Sequence, residues 1–280
     1  ILLMITRKQP VTMMYSKALI KPDGEVLNYS DTSSGNDVLV FIHGYPFDQS
    51  IWKEQVIALS EQARIITYDV RGYGSSSKGK EKFSIDLFAD DLIFLLDSLQ
   101  VNKVIVCGLS MGGYIALNLV KRYAERVKGL VLYDTQCYAD NTIAKAKRYE
   151  NIALIRNGGK QKYLEDMCKI LFSPVTFQQK YEIVKQTLNL MLKADDDVLM
   201  RTLEAMAERV ESCSILAAIK IPVMILCGEH DMLTPPEKSA FMQQQIQGSV
   251  LHIIENSGHL GHLENKDAFN QHLNNFLKSF

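Results

Sequence analysis

Apolar and polar positions along the chain follow two alternating patterns. Short, almost continuous apolar runs are separated by longer segments in which apolar residues recur at helical spacing. Strands covered by helices on both faces have such apolar runs, so the alternation predicts an α/β fold with a largely parallel sheet. The predicted strands are 38–42, 64–68, 104–107, 130–133, 223–226 and 250–254, after an opening hairpin of 17–20 and 26–29.

The helical segments divide into crossovers and one long insertion. The predicted crossover and C-terminal helices cover 49–61, 84–99, 111–123 and 267–280. Strand and helix stop alternating between residues 138 and 212, where helical patterning continues throughout. We therefore predict a helical cap at 138–212 inserted into a core domain made of 15–137 and 213–280. Residues 1–14 are expected to form a loose N-terminal extension.

The composition is that of an ordinary globular chain. Of its 280 residues, 47% are hydrophobic and 22% are charged, and the formal net charge is −1. Because this charge gives no field that attracts nucleic acid or an anionic membrane, the expected partner is a small molecule. The sequence has no apolar run of the roughly 18 residues that a membrane span needs. Residues 1–14 lack the basic-then-apolar order of a secretory signal, so a cytoplasmic location is expected.

The cysteines predict neither a disulfide framework nor a zinc site. They are odd in number and form no Cys-x-x-Cys pair, which argues against both. A reducing compartment is consistent with this pattern. The five residues are Cys107, Cys137, Cys168, Cys213 and Cys227.

A candidate nucleophile lies in segment 108–112, which reads Gly-Leu-Ser-Met-Gly and matches the motif G-x-S-x-G. The motif follows the predicted strand 104–107 and directly precedes the predicted helix 111–123. A sharp turn from strand to helix leaves little room for side chains beside the serine, and it presents the hydroxyl above the sheet. The helix start also offers N–H groups to a developing oxyanion. Ser110 is therefore the predicted nucleophile.

A serine nucleophile needs a base to accept its proton. His259 follows the last predicted strand, so it should stand on a loop at the same sheet edge as Ser110. The glycine before it permits a tight loop that directs the ring. His259 is the predicted base, and His262, three residues later, is the alternative.

The base in turn needs an orienting acid. Asp231 follows the predicted strand 223–226 and gives the chain order Ser, Asp, His that is expected for this arrangement. Asp134, at the end of the strand 130–133, is the alternative acid. Asp69 is interpreted as a structural partner within its own turn.

An oxyanion would need two backbone donors. The N–H of Met111, directly after the nucleophile, is the first predicted donor. The second is the N–H of Tyr45, in a loop where Gly44 permits unusual backbone geometry and Pro46 favours an extended Tyr45. His43 is interpreted as a residue that shapes this loop.

Together these motifs resemble the α/β-hydrolase superfamily. The residues that carry the resemblance are His43-Gly-Tyr-Pro46, Tyr68-Asp-Val-Arg-Gly-Tyr-Gly-Ser75, Gly108-Leu-Ser-Met-Gly-Gly113, Gly228-Glu-His-Asp231 and Ser257-Gly-His259. Within the superfamily, the sequence is similar to small cofactor-free esterases and to 3-oxoadipate enol-lactonase-like proteins. The resemblance implies an α/β-hydrolase fold: a mostly parallel eight-stranded sheet flanked by helices, with a helical cap after the sixth strand. It also implies a triad of Ser110, Asp231 and His259, with no cofactor and no metal.

The implied reaction is hydrolysis of carboxylic esters or lactones through an acyl-enzyme intermediate. Haloalkane dehalogenases and epoxide hydrolases of the superfamily use an aspartate nucleophile, and this chain has Ser110 at that position. Apolar stripes on the predicted cap helices favour small to medium uncharged acyl groups. These stripes consist of Leu164, Met167 and Leu171, and of Leu199, Leu203 and Met206.

Two alternative functions remain open. Proline iminopeptidase relatives need acidic groups to hold a substrate amine, and the run 195–197, three aspartates, is a candidate. Such a charge run more often begins a solvated helix. The segment 48–52 also resembles hydrolase-fold signalling proteins and hormone receptors, which keep the triad and turn over slowly. Rapid turnover of an ester would favour an enzyme over a receptor.

Overall fold

The alternation of apolar and amphipathic segments produces one eight-stranded sheet in the computed structural model, which describes residues 16–280. The predicted extension, residues 1–14, lies outside the described residues. The spatial order of the strands is β1-β2-β4-β3-β5-β6-β7-β8. Strands β1 and β2 form the predicted antiparallel hairpin, and β2 also pairs antiparallel with β4. The other pairings are parallel. The strands are β1 (Lys17–Ile20), β2 (Val26–Asp31), β3 (Val38–Ile42), β4 (Arg64–Tyr68), β5 (Val104–Leu109), β6 (Val127–Tyr133), β7 (Val223–Gly228) and β8 (Val250–Ile254). The mostly parallel eight-stranded sheet is thus confirmed.

Several strands are longer than the apolar pattern predicts. β2, β5, β6 and β7 each gain two or three residues. Three of the extensions include a glycine, namely Gly108 in β5, Gly129 in β6 and Gly228 in β7. A glycine interrupts an apolar run in the sequence but still pairs through its backbone, which is why the pattern ended these strands too early.

The helices flank the sheet and connect its strands. A 3-10 turn at Gln49–Trp52 leads into α1, so the first predicted helix begins with a tighter turn. In residues 16–280 every helix is too short or too polar to cross a bilayer. The helices are α1 (Lys53–Leu59), α2 (Ile85–Ser98), α3 (Met111–Arg122), α4 (Thr142–Arg156), α5 (Lys160–Leu171), α6 (Pro174–Gln179), α7 (Tyr181–Met191), α8 (Asp196–Ala207), α9 (Pro236–Gln245), α10 (Gly261–Glu264) and α11 (Lys266–Leu277).

The core lies around the central strands. Every residue of β3, β5 and β7 is buried, whereas β1 and β8 at the two edges are largely exposed or half-buried. Trp52 is completely buried and stacks on Phe41 of β3, with ring centroids 4.6 Å apart. Burial of one such aromatic side chain stabilises the fold by about 2 to 3 kcal/mol. The start of the first crossover is fixed against the sheet in this way.

Helices α4 to α8 form the cap that was predicted after the sixth strand, between β6 and β7. Its two ends meet at the core. The side chains of Asp140 and Arg209 are both buried, and Arg209 Nη1 lies 2.7 Å from Asp140 Oδ1. Arg148 of α4 donates to the other oxygen of Asp140. The domain boundaries 15–137, 138–212 and 213–280 stay a prediction.

A disulfide also joins the two ends of the cap, where the sequence predicted none. Cys137 and Cys213 are bonded although 76 residues separate them in the chain, and their Cα atoms are 4.8 Å apart. The Ser212 N–H also donates to the Cys137 carbonyl at 2.7 Å. The prediction was wrong because an insertion leaves and re-enters the core at neighbouring points, and spacing along the chain does not reveal this proximity. The expectation of a reducing compartment loses its support.

We expect the disulfide to stabilise the fold measurably. In the chain-entropy model, a crosslink that closes a loop of this length contributes on the order of 4 kcal/mol. Unfolded, unreduced protein should titrate three thiols, and reduced protein should titrate five. Reduction should also lower the thermal midpoint of unfolding, measured by circular dichroism.

The control is the double variant Cys137→Ser/Cys213→Ser. It should show three thiols and the same thermal midpoint with and without reductant, because the remaining cysteines are all free. Five thiols in unreduced wild-type protein would contradict the disulfide.

Candidate active site

Ser110 lies at the turn between β5 and α3, in a strained backbone conformation. Its φ is 53° and its ψ is −112°, a region that non-glycine residues rarely adopt. The Ser110 N–H donates to the Tyr133 carbonyl at 2.9 Å, and the Thr135 hydroxyl donates to the Ser110 carbonyl at 2.8 Å. These two bonds fix the turn to the end of β6. Strain that is held in place this way is typical of functional sites.

The glycines around Ser110 are required by close backbone contacts. A Cβ atom on Gly108 would lie 2.3 Å from the Gly112 carbonyl oxygen. A Cβ atom on Gly113 would lie 2.4 Å from the Thr135 hydroxyl oxygen. Both distances are shorter than any normal contact, so a side chain at either position would force the turn open.

The loop after β3 passes directly beside Ser110. A Cβ atom on Gly44 would lie 3.3 Å from the Ser110 Cβ, so the two backbones are close. The N–H of Tyr45 has no protein acceptor among the described residues. Met111 is the first residue of α3, and the first N–H groups of a helix have no intrahelical acceptor. Two unpaired donors therefore flank the Ser110 region.

His43 shapes this loop, as the sequence indicated. Its Nε2 accepts the Val70 N–H at 2.9 Å, which leaves Nδ1 to donate to the Gly44 carbonyl at 3.0 Å. Burial lowers the pKa of His43, so the ring is neutral and can accept at one nitrogen while donating at the other. The loop is thereby tied to the segment after β4.

Asp231 and His259 form a buried hydrogen-bonded pair. His259 Nδ1 lies 2.8 Å from Asp231 Oδ2, and both side chains are buried. The Thr234 hydroxyl donates to the same oxygen at 2.7 Å, and the N–H groups of Leu233 and Thr234 donate to Oδ1 at 2.8 and 3.1 Å. Because Asp231 accepts a hydrogen bond from Nδ1–H, Nε2 carries no proton and is free to act as a base.

The neighbours of Asp231 stabilise its ionised form. Burial alone would raise its pKa, but the charge of His259 and the hydrogen bonds from His259 and Thr234 outweigh burial and lower the pKa to about 2. Asp231 is therefore ionised at neutral pH. No hydrogen bond joins Ser110 to His259 in residues 16–280. Such bonds are often long without substrate and tighten in the Michaelis complex.

The alternative base has a different environment. His262 is completely buried, with its ring 4.7 Å from the Trp52 ring and its Nδ1 3.0 Å from the Tyr133 hydroxyl. Burial, followed by the charge of His259, lowers the pKa of His262 to about 3. A packed, neutral ring of this kind is a structural residue, and the structure brings His259 rather than His262 to Asp231.

The alternative acid is buried directly beside the favoured one. Asp134 is fully buried, and its Oδ1 accepts the Gly228 N–H at 2.8 Å. Asp134, Cys227 and Asp231 each place one polar atom within 4.8 Å of the others. Burial, followed by the charge of Asp231, raises the pKa of Asp134 well above its usual value. Asp69 instead accepts the N–H of Ser75 in its own turn and the N–H of Gln49 in the 3-10 turn before α1, at 2.9 Å each.

The apolar stripes of the cap pack inward. Leu164 and Leu171 of α5 and Leu199 and Leu203 of α8 are buried in the hydrophobic core. These four side chains therefore hold the cap together. Next to the loop of Tyr45 the cap contributes a polar group, Tyr163 of α5, and burial, followed by this neighbour, raises the pKa of the Tyr45 hydroxyl.

The fold family is established by a match to a protein-family model. Residues 37–266 match the family model described as the alpha/beta hydrolase fold. The chain belongs to this family. The match extends from just before β3 to the start of α11, so it includes the turn at Ser110 and the loop of His259.

Relatives of this α/β hydrolase include lactonases and esterases. It is 27% identical to 3-oxoadipate enol-lactonase 2 of Acinetobacter baylyi over 91% of this chain and 99% of the relative. A thermophilic esterase from Thermogutta terrifontis, solved with malate bound, matches with a TM-score of 0.89 and 30% identity, covering 95% and 98% of the two chains. The enol-lactonase of Burkholderia xenovorans matches with a TM-score of 0.85 and 25% identity, covering 91% and 98%.

One residue of the hydrolase that sequence reasoning missed connects the cap to the histidine loop. The buried carboxylate of Glu264 accepts the Gly258 N–H at 2.7 Å. It also accepts the Ser173 N–H at 2.8 Å and the Thr176 hydroxyl at 2.7 Å. The His259 N–H donates to the Leu171 carbonyl at 2.7 Å, next to these bonds. In the sequence Glu264 is only one polar residue in a short helix, and no spacing reveals its partners.

We expect Glu264→Gln to destabilise the hydrolase by about 2 kcal/mol, because an amide NH₂ would face N–H or O–H donors where a carboxylate oxygen now accepts. The thermal midpoint and the rate of ester hydrolysis should both fall. The matched control is Glu255→Gln, since Glu255 is exposed and close in sequence. Equal stability of the two variants would contradict this role for Glu264.

Proposed function

We propose that the protein hydrolyses carboxylic esters or lactones through an acyl-enzyme intermediate. The observation that carries the proposal is the buried hydrogen bond of 2.8 Å between Asp231 and His259. Together with the strained Ser110 at the same edge of the sheet, this pair has the groups that an activated serine requires. The names of the lactonase and esterase relatives support the same reaction class.

The proposed mechanism assigns one role to each group. Ser110 Oγ attacks the acyl carbon while His259 Nε2 accepts its proton, and Asp231 stabilises the imidazolium that forms. The N–H groups of Tyr45 and Met111 donate to the oxyanion. His259 then gives the proton to the leaving alcohol. Water, activated by the same base, releases the acid and restores Ser110.

The aminopeptidase alternative has less support, because the aspartates considered for amine binding already have other partners. Asp195 caps the start of α8 by accepting the N–H groups of Asp197 and Val198 at 2.9 and 3.2 Å. The Nζ of Lys78 lies 3.5 Å from Asp195 and 3.3 Å from Asp197, and these side chains are about half exposed. A solvated helix start of this kind accounts for the acidic run.

The proposed nucleophile is tested by covalent labelling. A fluorophosphonate should react with one serine, and peptide mapping should place the adduct on Ser110. Ser110→Ala should lose labelling and ester hydrolysis, whereas Ser257→Ala, at a serine whose hydroxyl donates to the Ile254 carbonyl, should still be labelled. An adduct on another serine, or equal labelling of Ser110→Ala, would refute the proposal.

The proposed substrate class is tested by comparing leaving groups. We expect kcat/KM for p-nitrophenyl butyrate or a small lactone to exceed that for alanine and proline p-nitroanilides by far more than tenfold. If an anilide is the better substrate by tenfold, about 1.4 kcal/mol of transition-state preference, the protein is an aminopeptidase. If every ester turns over slowly while a ligand raises the thermal midpoint, the receptor alternative is favoured.

A further inference from the structure

Asp134 is a buried acid for which the proposed mechanism has no role. It ends β6 with a φ of 42°, in the left-handed region. Its N–H donates to the Leu226 carbonyl at 2.9 Å, and its Oδ1 accepts the Gly228 N–H at 2.8 Å. The residue is therefore held to β7 from both its backbone and its side chain. A non-glycine residue kept in this backbone region calls for a compensating role of its side chain.

The second carboxyl oxygen of Asp134 has no donor. Oδ2 is buried and finds no hydrogen-bond donor within residues 16–280. The titratable groups that face this carboxyl are Asp231 on the loop after β7, Cys227 within β7 and Tyr133 within β6. No cation compensates it among these neighbours. A buried carboxylate in that position would carry an uncompensated charge beside another carboxylate, which is strongly unfavourable.

Protonation of Asp134 removes the uncompensated charge, and the proton gives the carboxyl a hydrogen bond to donate. A carboxyl oxygen of Asp134 lies within 4.8 Å of a carboxyl oxygen of Asp231, so the two groups are neighbours between which a proton can be shared. Asp231 already accepts from His259, Thr234 and Leu233 and is the acid that is stabilised as an anion. The proton therefore resides on Asp134.

We propose that Asp134 is a neutral positioning residue whose protonated carboxyl donates a hydrogen bond to Asp231. The bond fixes the orientation of the Asp231 carboxylate and withdraws part of its negative charge. It thereby limits how strongly Asp231 stabilises a protonated His259. This inference rests on the proposed function, because it acts through the same Asp231–His259 pair.

Substitutions at the two neighbouring acids test the role. Asp134→Asn keeps a donor towards Asp231, so kcat should stay within about threefold of the wild-type value. The same chemical change at the adjacent acid, Asp231→Asn, should lower kcat on the order of 10⁴-fold, because the base loses its orienting anion. Asp134→Leu has a similar volume but no donor, and its kcat should fall at least tenfold.

The pH profile separates positioning from a general loss of stability. In Asp134→Leu, Asp231 keeps more negative charge and favours protonated His259, so the acid limb of kcat/KM should move to higher pH by at least half a unit. In Asp134→Asn the limb should stay in place. If the acid limb of kcat/KM moves to lower pH in Asp134→Asn, the substitution has removed an ionised Asp134, and the proposal is overturned. A pH profile of Asp134→Leu that equals the wild-type profile would also overturn it.

A measurement on wild-type protein keeps the proposal testable if Asp134→Leu does not fold. The infrared difference spectrum of wild type minus Asp134→Asn at pH 7 should contain the carbonyl stretch of a protonated carboxylic acid. A carboxylate band in its place would overturn the proposal. This result does not depend on catalysis, so a failure of Ser110 labelling would refute the proposed function and leave the assignment of the proton to Asp134 standing.

Discussion

Close packing of the α3 start against the end of β3 is the constraint on which the candidate site depends. A Cβ atom on Gly112 would lie 2.3 Å from the Ile42 carbonyl oxygen, so only glycine fits there. This contact brings the loop of Tyr45 beside Ser110. The rest of the site follows from the parallel sheet. Because β5, β7 and β8 run parallel, their carboxyl ends lie at one edge of the sheet, and the loops of Asp231 and His259 lie at the same edge as Ser110.

The sequence was most informative where chemistry and local backbone geometry coincide. Short apolar runs predicted the strands, and the glycines around Ser110 marked a turn that only they can make, so the turn between β5 and α3 was predicted correctly. Contacts between distant segments leave no such pattern. The Cys137–Cys213 disulfide and the three donors of Glu264 join parts of the chain that are far apart in sequence. Their proximity is a property of the assembled fold.

The cap is coupled to the candidate base through backbone contacts. A Cβ atom on Gly258 would lie 2.7 Å from the Leu171 carbonyl oxygen, and that same carbonyl accepts the His259 N–H. The end of α5 is therefore part of the support of the imidazole as well as part of the cap. Any movement that lifts this end must break the bonds to Glu264 and release the histidine loop. The segment between α5 and α6 is consequently a fixed part of the candidate site.

Two carboxyl groups at the end of neighbouring strands have opposite protonation states because their donors differ. Asp231 receives hydrogen bonds at both oxygens and lies against His259, so its pKa falls to about 2 in spite of burial. Asp134 receives one N–H and faces that anion, so burial and repulsion raise its pKa. Environments that separate the pKa values of paired acids in this way assign distinct roles to each. The site therefore holds a single negative charge behind the imidazole, which is the number that a proton-accepting histidine requires.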